Sequence, residues 1–283
     1  MSDAKKNILI TGCSSGIGLC VAKGLSQRGY RVFASARKPA DLSALQAMGM
    51  EVVQLDLTDS DSISRAVETV LQATQGALFG LFNNGAYGQP GAVEDLSRAA
   101  LREQFETNLF GWHELTNRII PIMRKQGEGR IIQNSSVLGL AALPFRGAYT
   151  ASKFALEGLS DTLRIELAGT GIHVSLIEPG PIESRFRENA FRMWKKHIDA
   201  ENSFYRSQYS AMQKRLEKEG HATRFTLPPE AVLKKVIHAL EHANPKPRYY
   251  VTFPTYLLGA LRRLLPTSTM DKVLLKISND GGR

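Results

Sequence analysis

The sequence is poor in cysteine and contains no long apolar run. Cys13 and Cys20 are its only cysteines, and their separation of seven residues matches no metal-ligand or redox pair. No window approaches the roughly 18 consecutive apolar residues that a membrane-spanning helix requires. No leader-like segment precedes the first strand-like run, which begins at Asn7. A disulfide-rich secreted domain, a metal site and an integral membrane protein are therefore not expected, and we predict a cytoplasmic protein in a reducing setting.

The sequence also lacks internal repeats, low-complexity tracts and a Gly- or Pro-rich linker. Its 283 residues, 43% hydrophobic and 22% charged, predict one globular domain spanning 1–283. Acidic residues are outnumbered, and the formal net charge is +9. This excess favours a negatively charged partner, such as a phosphate-rich cofactor, an acidic substrate or a membrane surface. Nucleic acid is not expected, because no recognition motif accompanies the charge.

Short apolar runs alternate with stretches of helical period as far as Ile177. The predicted strands are Asn7–Thr11, Tyr30–Ser35, Glu51–Leu55, Leu78–Phe82, Arg130–Asn134 and His173–Ile177. The predicted helices are Gly16–Arg28, Asp41–Met48, Ser60–Ala73, Ala99–Arg124 and Ala148–Leu167. This alternation is typical of a parallel sheet with helices on both faces. The predicted fold class is α/β, a doubly wound, Rossmann-like sheet whose ligands bind beyond the carboxyl ends of the strands.

A glycine-rich turn, Thr11–Gly18, joins the first predicted strand to the first predicted helix. Gly12, Gly16 and Gly18 permit a tight turn and let the backbone approach a pyrophosphate at the positive helix N-terminus. A plain turn is the alternative, but the position between strand and helix is typical of a dinucleotide site.

No acidic residue follows the second predicted strand, where an NAD site places one to bond the adenosine ribose. Arg37 and Lys38 stand there instead, and Ser14 in the glycine-rich turn can donate a further hydrogen bond. These groups suit a ribose 2′-phosphate, so we predict NADP(H) over NAD(H). A solvated basic turn is the alternative interpretation.

Polar residues also follow the third and fourth predicted strands. Asp56 is placed to accept a hydrogen bond from adenine, or it serves only the turn while Thr58 or Ser60 caps the next helix. Asn83 and Asn84 are paired amides that can tie neighbouring strands and the loop together near the cofactor.

Tyr149 and Lys153 are four residues apart in a predicted helix, so they lie one above the other on one face. A free tyrosine titrates near ~10, and a neighbouring cation favours the phenolate, so we expect Lys153 to lower the pKa of Tyr149. Such a phenol is a usable general acid and base. Taken alone, the pair also arises by chance, and it gains weight from the motifs around it.

Together, these motifs resemble those of the short-chain dehydrogenases/reductases. The residues that carry the resemblance stand in that family's order over residues 6–182: Thr11-Gly-x-x-x-Gly-x-Gly18, Asp56, Asn83-Asn84, Asn108, Ser136 and Tyr149-x-x-x-Lys153. Within the family, the chain is similar to the branch of 17β-hydroxysteroid dehydrogenases, retinol dehydrogenases and bacterial NADP-dependent aldehyde reductases. One departure is that Gly85 and Ala86 exchange the family's usual order, which moves the torsional freedom of glycine by one position.

The resemblance implies a catalytic tetrad. Ser136 holds the substrate oxygen, Tyr149 exchanges the proton, and Lys153 lowers the pKa of Tyr149 and bonds the nicotinamide ribose. Asn108 helps to hold a water near Lys153, although its own position in a predicted helix indicates an ordinary surface residue. Of the adjacent Ser135 and Ser136, only one can face the site, and the family spacing selects Ser136.

The resemblance also implies the cofactor contacts. They come from the glycine-rich turn, the ends of the next strands, the catalytic pair and the turn after the sixth strand: Gly12, Ser14, Ser15, Gly16, Ile17, Gly18, Arg37, Lys38, Asp56, Leu57, Asn84, Tyr149, Lys153, Pro179, Gly180 and Ile182. The family's threonine beyond this last turn is replaced by Glu183-Ser184.

Residues 184–227 mix basic residues with large apolar ones, among them Phe186, Trp194 and Tyr209. In the family this segment covers the substrate cleft, which predicts a helical lid over an apolar site suited to a bulky lipophilic carbonyl or alcohol. Alternatively, the aromatic residues only pack the lid onto the domain.

Residues 228–283 are expected to form C-terminal helices and the last strand. The apolar and basic stretches Pro254–Leu265 and Met270–Ile277 are consistent with peripheral contact at an anionic membrane surface, a subunit contact or a flap over the pocket. The family associates through helices around Leu101–Arg124 and Ala151–Leu167, which implies a homodimer or homotetramer.

The expected function is hydride transfer between NADP(H) and a carbonyl or alcohol. Reduction of a lipophilic aldehyde or ketone, such as a retinoid, a steroid or a long-chain aldehyde, is the expected direction, because cells keep NADP mostly reduced. The alternative is a non-catalytic NADPH-binding sensor or scaffold, which needs the glycine-rich turn but not Ser136, Tyr149 and Lys153.

Overall fold

The computed structural model describes residues 5–217, 220 and 223–280. Positions 218, 219, 221 and 222 of the predicted lid, and both ends of the predicted domain, lie outside the described residues. Seven strands form one parallel sheet in the order β3-β2-β1-β4-β5-β6-β7. They are β1 Asn7–Ile10, β2 Arg31–Ala36, β3 Glu51–Gln54, β4 Gly80–Asn83, β5 Gly129–Asn134, β6 Ile172–Glu178 and β7 Arg248–Tyr250. Because the order reverses between β1 and β4, the crevice beyond these two strands is the binding position of such a sheet.

The α-helices lie on both faces of the sheet and beyond its edge. They are α1 Gly16–Gln27, α2 Pro39–Ala47, α3 Ser60–Ala73, α4 Arg98–Phe105, α5 Gly111–Gln126, α6 Gly147–Glu166, α7 Phe186–His197, α8 Arg206–Glu217, α9 Glu230–Glu241, α10 Phe253–Leu264 and α11 Thr267–Asp280. Among the described residues, none of these helices combines the length and the apolarity needed to cross a bilayer.

Both faces of the sheet are buried because its strands are apolar on both sides. Leu9 and Ile131 enter a core cluster with α3 and α5, whereas their neighbours Ile10 and Ile132 enter a second cluster with α1 and α9. This period of two is the geometry of a strand covered on both faces. The predicted doubly wound α/β fold is confirmed.

The predicted helix Ala99–Arg124 is wrong as a continuous α-helix. It consists of α4, a π turn over Glu106–Phe110 and α5. The start of α3 also differs from the prediction, because the cap is Asp59, whose carboxylate accepts a hydrogen bond from the Asp61 N–H at 2.9 Å. Neither Thr58 nor Ser60 occupies that position.

The lid and the C-terminal helices have small cores of their own. In the lid, α7 and α8 contribute Trp194 and Tyr209 to a cluster that includes Ala148 of α6. Beyond β7, α10 and α11 contribute Leu258 and Met270 to a further cluster. The lid is therefore anchored directly beside the start of α6.

Candidate active site

The glycine-rich turn is drawn tightly against the end of β4. Thr11 is fully buried, and its Oγ1 accepts a hydrogen bond from the Asn84 N–H at 2.8 Å. Gly12 and Gly16 adopt φ of 71° and 55°, a region that side chains disfavour. A Cβ on Gly18 would lie 2.2 Å from the Gly12 carbonyl oxygen. Backbone torsion therefore requires glycine at the first two positions, and close contact requires it at the third.

The helix that starts at this turn, α1, presents its N-terminus to the crevice. Ser15 occupies the N-cap position without a side-chain cap hydrogen bond, and the first turn contains no acidic residue. Ser14 is exposed beside it, and Ile17 is partly buried. Backbone N–H groups at a helix N-terminus carry partial positive charge and bind phosphate groups well. The backbone of this turn therefore fits the pyrophosphate of a dinucleotide.

Gly85 does not have the torsion that the sequence suggested. Neither Gly85 nor Ala86 has a positive φ, so the expected shift of a glycine-specific torsion is wrong. Gly85 lies directly against Gly12 instead, since a Cβ on Gly12 would lie 2.6 Å from the Gly85 Cα. The loop after β4 is therefore packed closely against the glycine-rich turn.

The paired amides join three strands, as the sequence suggested. The Asn84 amide donates to the Thr11 carbonyl oxygen at 3.0 Å, and its Oδ1 accepts a hydrogen bond from the Asn134 amide at 2.9 Å. The buried Asn83 amide donates to Gln133 of β5 and to Thr116 of α5, both at 3.0 Å. These bonds fix the ends of β1, β4 and β5 relative to one another.

The end of β2 is basic and exposed. The Arg37 side chain is 59% exposed, and its Nε lies 4.0 Å from the Asp56 carboxylate, while Lys38 is exposed at the start of α2. Asp56 accepts hydrogen bonds from the N–H and the hydroxyl of Thr58, at 3.0 and 2.8 Å. Asp56 therefore shapes its own turn, and its contact with adenine stays a prediction.

Ser136, Tyr149 and Lys153 converge beyond β5. Ser136 follows the strand directly, and Tyr149 and Lys153 lie one turn apart on α6. The Ser136 hydroxyl accepts a hydrogen bond from the Leu138 N–H at 3.1 Å, and its interaction with the Tyr149 hydroxyl lowers the pKa of that phenol. The neighbouring Ser135 faces Glu157 instead. The structure thus directs Ser136, and not Ser135, to Tyr149.

The pKa of Tyr149 moves in the direction opposite to our expectation. Burial raises the pKa of Tyr149 to about 12, and the hydrogen bond from Ser136 offsets only part of this increase. Lys153 does not counteract it, because its ammonium lies 5.6 Å from the Tyr149 ring centroid and donates to the Asn134 carbonyl oxygen at 2.7 Å. Tyr149 is therefore a protonated phenol at neutral pH.

Lys153 occupies an apolar environment. It is 1% exposed, and its Nζ lies 4.3 Å from the centroid of the Trp112 ring. Burial lowers the pKa of Lys153 to about 7, while the nearby Glu157 carboxylate acts in the opposite direction. Lys153 consequently exchanges its proton close to neutral pH.

Asn108 is a buried residue of the π turn, not a surface residue. Its amide donates to the Tyr87 carbonyl oxygen at 2.8 Å and accepts from the Tyr87 N–H at 3.2 Å. It also lies 3.4 Å from the Ser152 hydroxyl, which donates to the Tyr149 carbonyl oxygen at 2.8 Å. π turns inside α-helices occur frequently at functional sites. The turn links the loop after β4 to the backbone of α6.

The lid meets the catalytic tyrosine through Phe186. The rings of Tyr149 and Phe186 make an edge contact with centroids 5.3 Å apart, and a Cβ on Gly88 would lie 2.8 Å from the Phe186 ring. Trp194 and Tyr209 are buried in the core of the lid, whereas Phe204 is 85% exposed. The lid aromatics therefore divide between those that pack the lid and Phe186, which contacts Tyr149, and the bulky lipophilic substrate stays a prediction.

The turn after β6 closes the other side of the site. Pro179 is buried, and its carbonyl oxygen accepts from the Val137 N–H at 2.8 Å, next to Ser136. A Cβ on Gly180 would lie 2.2 Å from the Thr252 hydroxyl, and Ile182 pairs with Leu227 of the lid. The adjoining Ser184 lies against Gly16, where an added Cβ would be 2.9 Å from the Ser184 Cβ. Leu57, another predicted cofactor contact, is buried and lies against Gly111 of α5.

Sequence reasoning missed two residues that hold the site together. The Asn134 carbonyl oxygen accepts the Lys153 ammonium, and Trp112 stacks below that cation and donates to the Gly85 carbonyl oxygen at 2.8 Å. Asn134 carried a signal, because it ends β5 immediately before the two serines. No sequence signal marks Trp112, because the π turn that orients its ring toward Lys153 cannot be predicted from the sequence.

Comparison with known proteins places this site in one family. A short-chain dehydrogenase family model matches residues 6–195. The chain is 46% identical over 270 residues to an uncharacterized oxidoreductase, YbbO, of Escherichia coli K12, covering 95% of this chain and 94% of that protein. It is 34% identical over 264 residues to human 17-beta-hydroxysteroid dehydrogenase type 1, covering 88% and 78% of the two chains.

A solved structure shows the same architecture with a nicotinamide cofactor. The short-chain dehydrogenase/reductase of Burkholderia phymatum, in complex with NAD, matches with a TM-score of 0.75 and 26% identity, over 93% of this chain and 94% of that one. The family match extends from the glycine-rich turn through the Ser136, Tyr149 and Lys153 cluster into the lid. This chain therefore belongs to the short-chain dehydrogenase/reductase superfamily of oxidoreductases.

Proposed function

We propose that the protein is an NADP(H)-dependent carbonyl reductase acting on a lipophilic aldehyde or ketone. The observation that carries this proposal is the convergence of a protonated Tyr149, hydrogen-bonded by Ser136, with a buried Lys153 beside a basic cofactor crevice. None of the relatives above supports the alternative of a non-catalytic sensor, and the full catalytic set is present.

The cofactor would be held by backbone at one end and by cations at the other. The uncapped start of α1 and the torsions of Gly12 and Gly16 fit a pyrophosphate. Arg37 and Lys38 are exposed where a ribose 2′-phosphate would lie, and the Arg37 Nε lies 4.0 Å from the Asp56 carboxylate. A planar guanidinium bonds a phosphate in bidentate fashion, which supports the preference for NADP(H). When bound, the reduced nicotinamide supplies the hydride.

The chain itself supplies the proton. Ser136 holds the carbonyl oxygen, and the protonated Tyr149 donates to that oxygen as negative charge develops on it. Tyr149 carries its proton at neutral pH, as a general acid must. Lys153, which titrates about three pH units below an exposed lysine, is poised to help replace that proton. The protonated state of Tyr149 near neutral pH thus supports reduction over oxidation.

The lid supports a lipophilic substrate. Phe186 forms an apolar wall against Tyr149, and apolar walls with few polar groups are typical of sites for apolar ligands. The human relative is named as a 17-beta-hydroxysteroid dehydrogenase, which agrees with a bulky substrate. Exposed apolar residues on α6, Phe154 and Ile165, agree with the predicted association of subunits through this helix, which stays a prediction.

The cofactor part of the proposal is tested by Arg37→Asp. We expect this variant to bind NADPH at least tenfold more weakly and to lose much of its preference over NADH, because a carboxylate repels the 2′-phosphate. NADPH and NADH titrations of the wild type, Arg37→Asp and the exposed control Lys125→Asp measure it. An unchanged preference in Arg37→Asp would remove the argument for NADP(H).

The substrate part is tested by following NADPH oxidation against a panel from short aldehydes to retinal and a keto-steroid. We expect the bulky apolar carbonyls to give the highest kcat/KM. Faster turnover of the short aldehydes would contradict the proposed substrate class.

A further inference from the structure

A second surface combines exposed apolar side chains with cations, and it lies outside the active site. Its apolar part is an outward stripe on α10, spaced by three, four, seven and eleven residues from its first member, and formed by Phe253, Tyr256, Leu257, Ala260 and Leu264. This spacing places the stripe on one face of the helix. Phe253 and Leu264 are 61% and 78% exposed, whereas Leu258 on the opposite face is 4% exposed. The helix is thus apolar toward solvent as well as toward the core.

A basic depression opens at the edge of this stripe. Its volume is about 260 Å³, and its lining includes Lys235, Lys246, Arg248, Tyr250, Tyr256 and Arg263, with no acidic side chain among the described lining residues. Tyr256 and Arg263 belong to α10, so the depression and the stripe adjoin.

Most cations of the depression are available to a ligand. Arg248 is held by the Glu178 carboxylate at 2.7 Å, but Lys235, Lys246 and Arg263 take part in none of the ion pairs formed between described residues. Residues 228–283 contain nine Lys and Arg against four Asp and Glu, so this fifth of the chain carries a net +5 of the total +9. Four of these nine cations, Lys235, Lys246, Arg248 and Arg263, line the depression.

We propose that this face of α10 docks on an anionic lipid bilayer, with headgroup phosphates in the basic depression and the stripe at the headgroup–acyl boundary. Helices with an apolar face and a cationic edge bind at this boundary, and anionic lipids add to the attraction. A free phosphate would occupy the depression and leave the stripe in water, whereas an apolar protein surface would cover the stripe and leave the cations unpaired. An anionic bilayer would both bury the apolar stripe and pair the cations of the basic depression with phosphates.

Docking in this way places the lid near the membrane. The Phe253 ring stacks on Phe225, which lies in the lid segment, with centroids 5.6 Å apart. A lipophilic substrate concentrated in the bilayer would then reach the site from the docked side. The docking itself does not depend on the proposed activity, and its test uses no turnover.

The test is sedimentation of the full-length protein with vesicles of phosphatidylcholine, alone or mixed with phosphatidylglycerol. We expect the wild type to bind the mixed vesicles and not the neutral ones. Lys246→Ala and Arg263→Ala should each weaken binding about fivefold, and Leu257→Asp/Leu264→Asp should abolish it. Lys125→Ala and Met48→Asp are matched controls, because Lys125 is exposed and Met48 is 51% exposed on other surfaces, and they should bind like the wild type.

Three results would overturn the proposal. The first is a wild type that binds neither vesicle, and the second is equal binding by the wild type, both cation variants and Leu257→Asp/Leu264→Asp. The third is a Leu257→Asp/Leu264→Asp variant that dissociates an oligomer in analytical ultracentrifugation while still binding vesicles, which would make the stripe a contact between copies of the chain. Thermal unfolding of each variant establishes that it folds, and the two cation variants keep the test valid should the double variant not fold.

Discussion

At the scale of single residues, the site contains titratable groups that are buried in surroundings where their charged forms are disfavoured. Tyr149 has a raised pKa and Lys153 a lowered one, both because burial disfavours charge. For Lys153 the folded-state pKa of about 7 lies below the ordinary lysine value of 10.5, so folding favours the neutral amine. Burial of Lys153 therefore lowers the free energy of unfolding by its whole amount below about pH 7, and this loss disappears as the pH rises through 10.5.

Lys153→Met tests this electrostatic cost. We expect the variant to lose activity but to be more stable than the wild type at pH 7, because methionine fills a similar volume without a charge. The difference in free energy of unfolding should shrink by about 2 kcal/mol between pH 7 and pH 9. Urea unfolding of both proteins at the two pH values measures it, with the exposed Lys125→Met as control. A difference independent of pH would contradict the shifted pKa of Lys153.

At the scale of secondary-structure elements, the π turn between α4 and α5 is the feature that forms the site. It turns Asn108 inward onto Tyr87, and it is followed by Gly111, where an added Cβ would lie 1.9 Å from the Leu57 carbonyl oxygen. Because that contact is with backbone, no side chain can rotate away to relieve it. The turn, the end of β3 and the loop after β4 are consequently packed as one unit.

Two glycine substitutions distinguish the effect of the contact between Gly111 and the Leu57 backbone from the general effect of glycine on helix stability. Gly111→Ala should destabilise the protein by about 1–3 kcal/mol and reduce turnover, because the backbone of α5 must move away from Leu57. Gly158→Ala, in α6, should stabilise it by ~0.5–1 kcal/mol, because a Cβ there meets nothing within 4 Å. Thermal unfolding and kcat of both variants check this. Equal effects of the two substitutions would show that Gly111 tolerates a side chain.

Some features of the fold and the site could be predicted from the sequence, and others could not. The sheet, most helices and the positions of Ser136, Tyr149 and Lys153 follow from local patterns, because apolar period and strand–helix alternation are encoded in short segments. The π turn does not follow, since Glu106–Phe110 has an ordinary helical pattern and its extra residue is stabilised by contacts with Tyr87, distant in sequence. The direction of the Tyr149 pKa shift was missed for the same reason, because burial and the orientation of Lys153 are properties of the assembled site.

At the scale of the whole molecule, one arginine joins the last strand to the rest of the fold. Arg248 of β7 pairs with the buried Glu157 and with Asp161 of α6, and it lies 2.7 Å from the fully buried Glu178 of β6. Burial and the neighbouring Glu157 raise the pKa of Glu178 to about 8, and burial raises the pKa of Glu157. This cluster connects the edge of the sheet to the helix that carries Lys153.

Arg248→Met should remove about 3–5 kcal/mol of stability at pH 7.5, because it leaves buried carboxylates without their cation. Without Arg248 the pKa of the buried Glu157 rises further, so the folded variant takes up a proton there at a smaller cost at pH 5, and the loss should be smaller at that pH. Urea unfolding at the two pH values measures this. Arg28→Met is the control, because the ion pair of Arg28 with Glu241 is exposed to solvent, so its loss should have little effect on stability at either pH. A loss of equal size at both pH values would show that packing, and not charge, determines the role of Arg248.

The proposed activity as a whole depends on Tyr149 as the group that donates the proton to the carbonyl oxygen. The most direct measurement is NADPH oxidation by wild type and Tyr149→Phe with the best carbonyl of the panel, together with NADPH binding to both. Because phenylalanine keeps the ring contact with Phe186 and removes only the hydroxyl, we expect binding within about threefold of the wild type and turnover reduced by 10²-fold or more. Turnover by Tyr149→Phe close to that of the wild type would contradict the proposed chemistry.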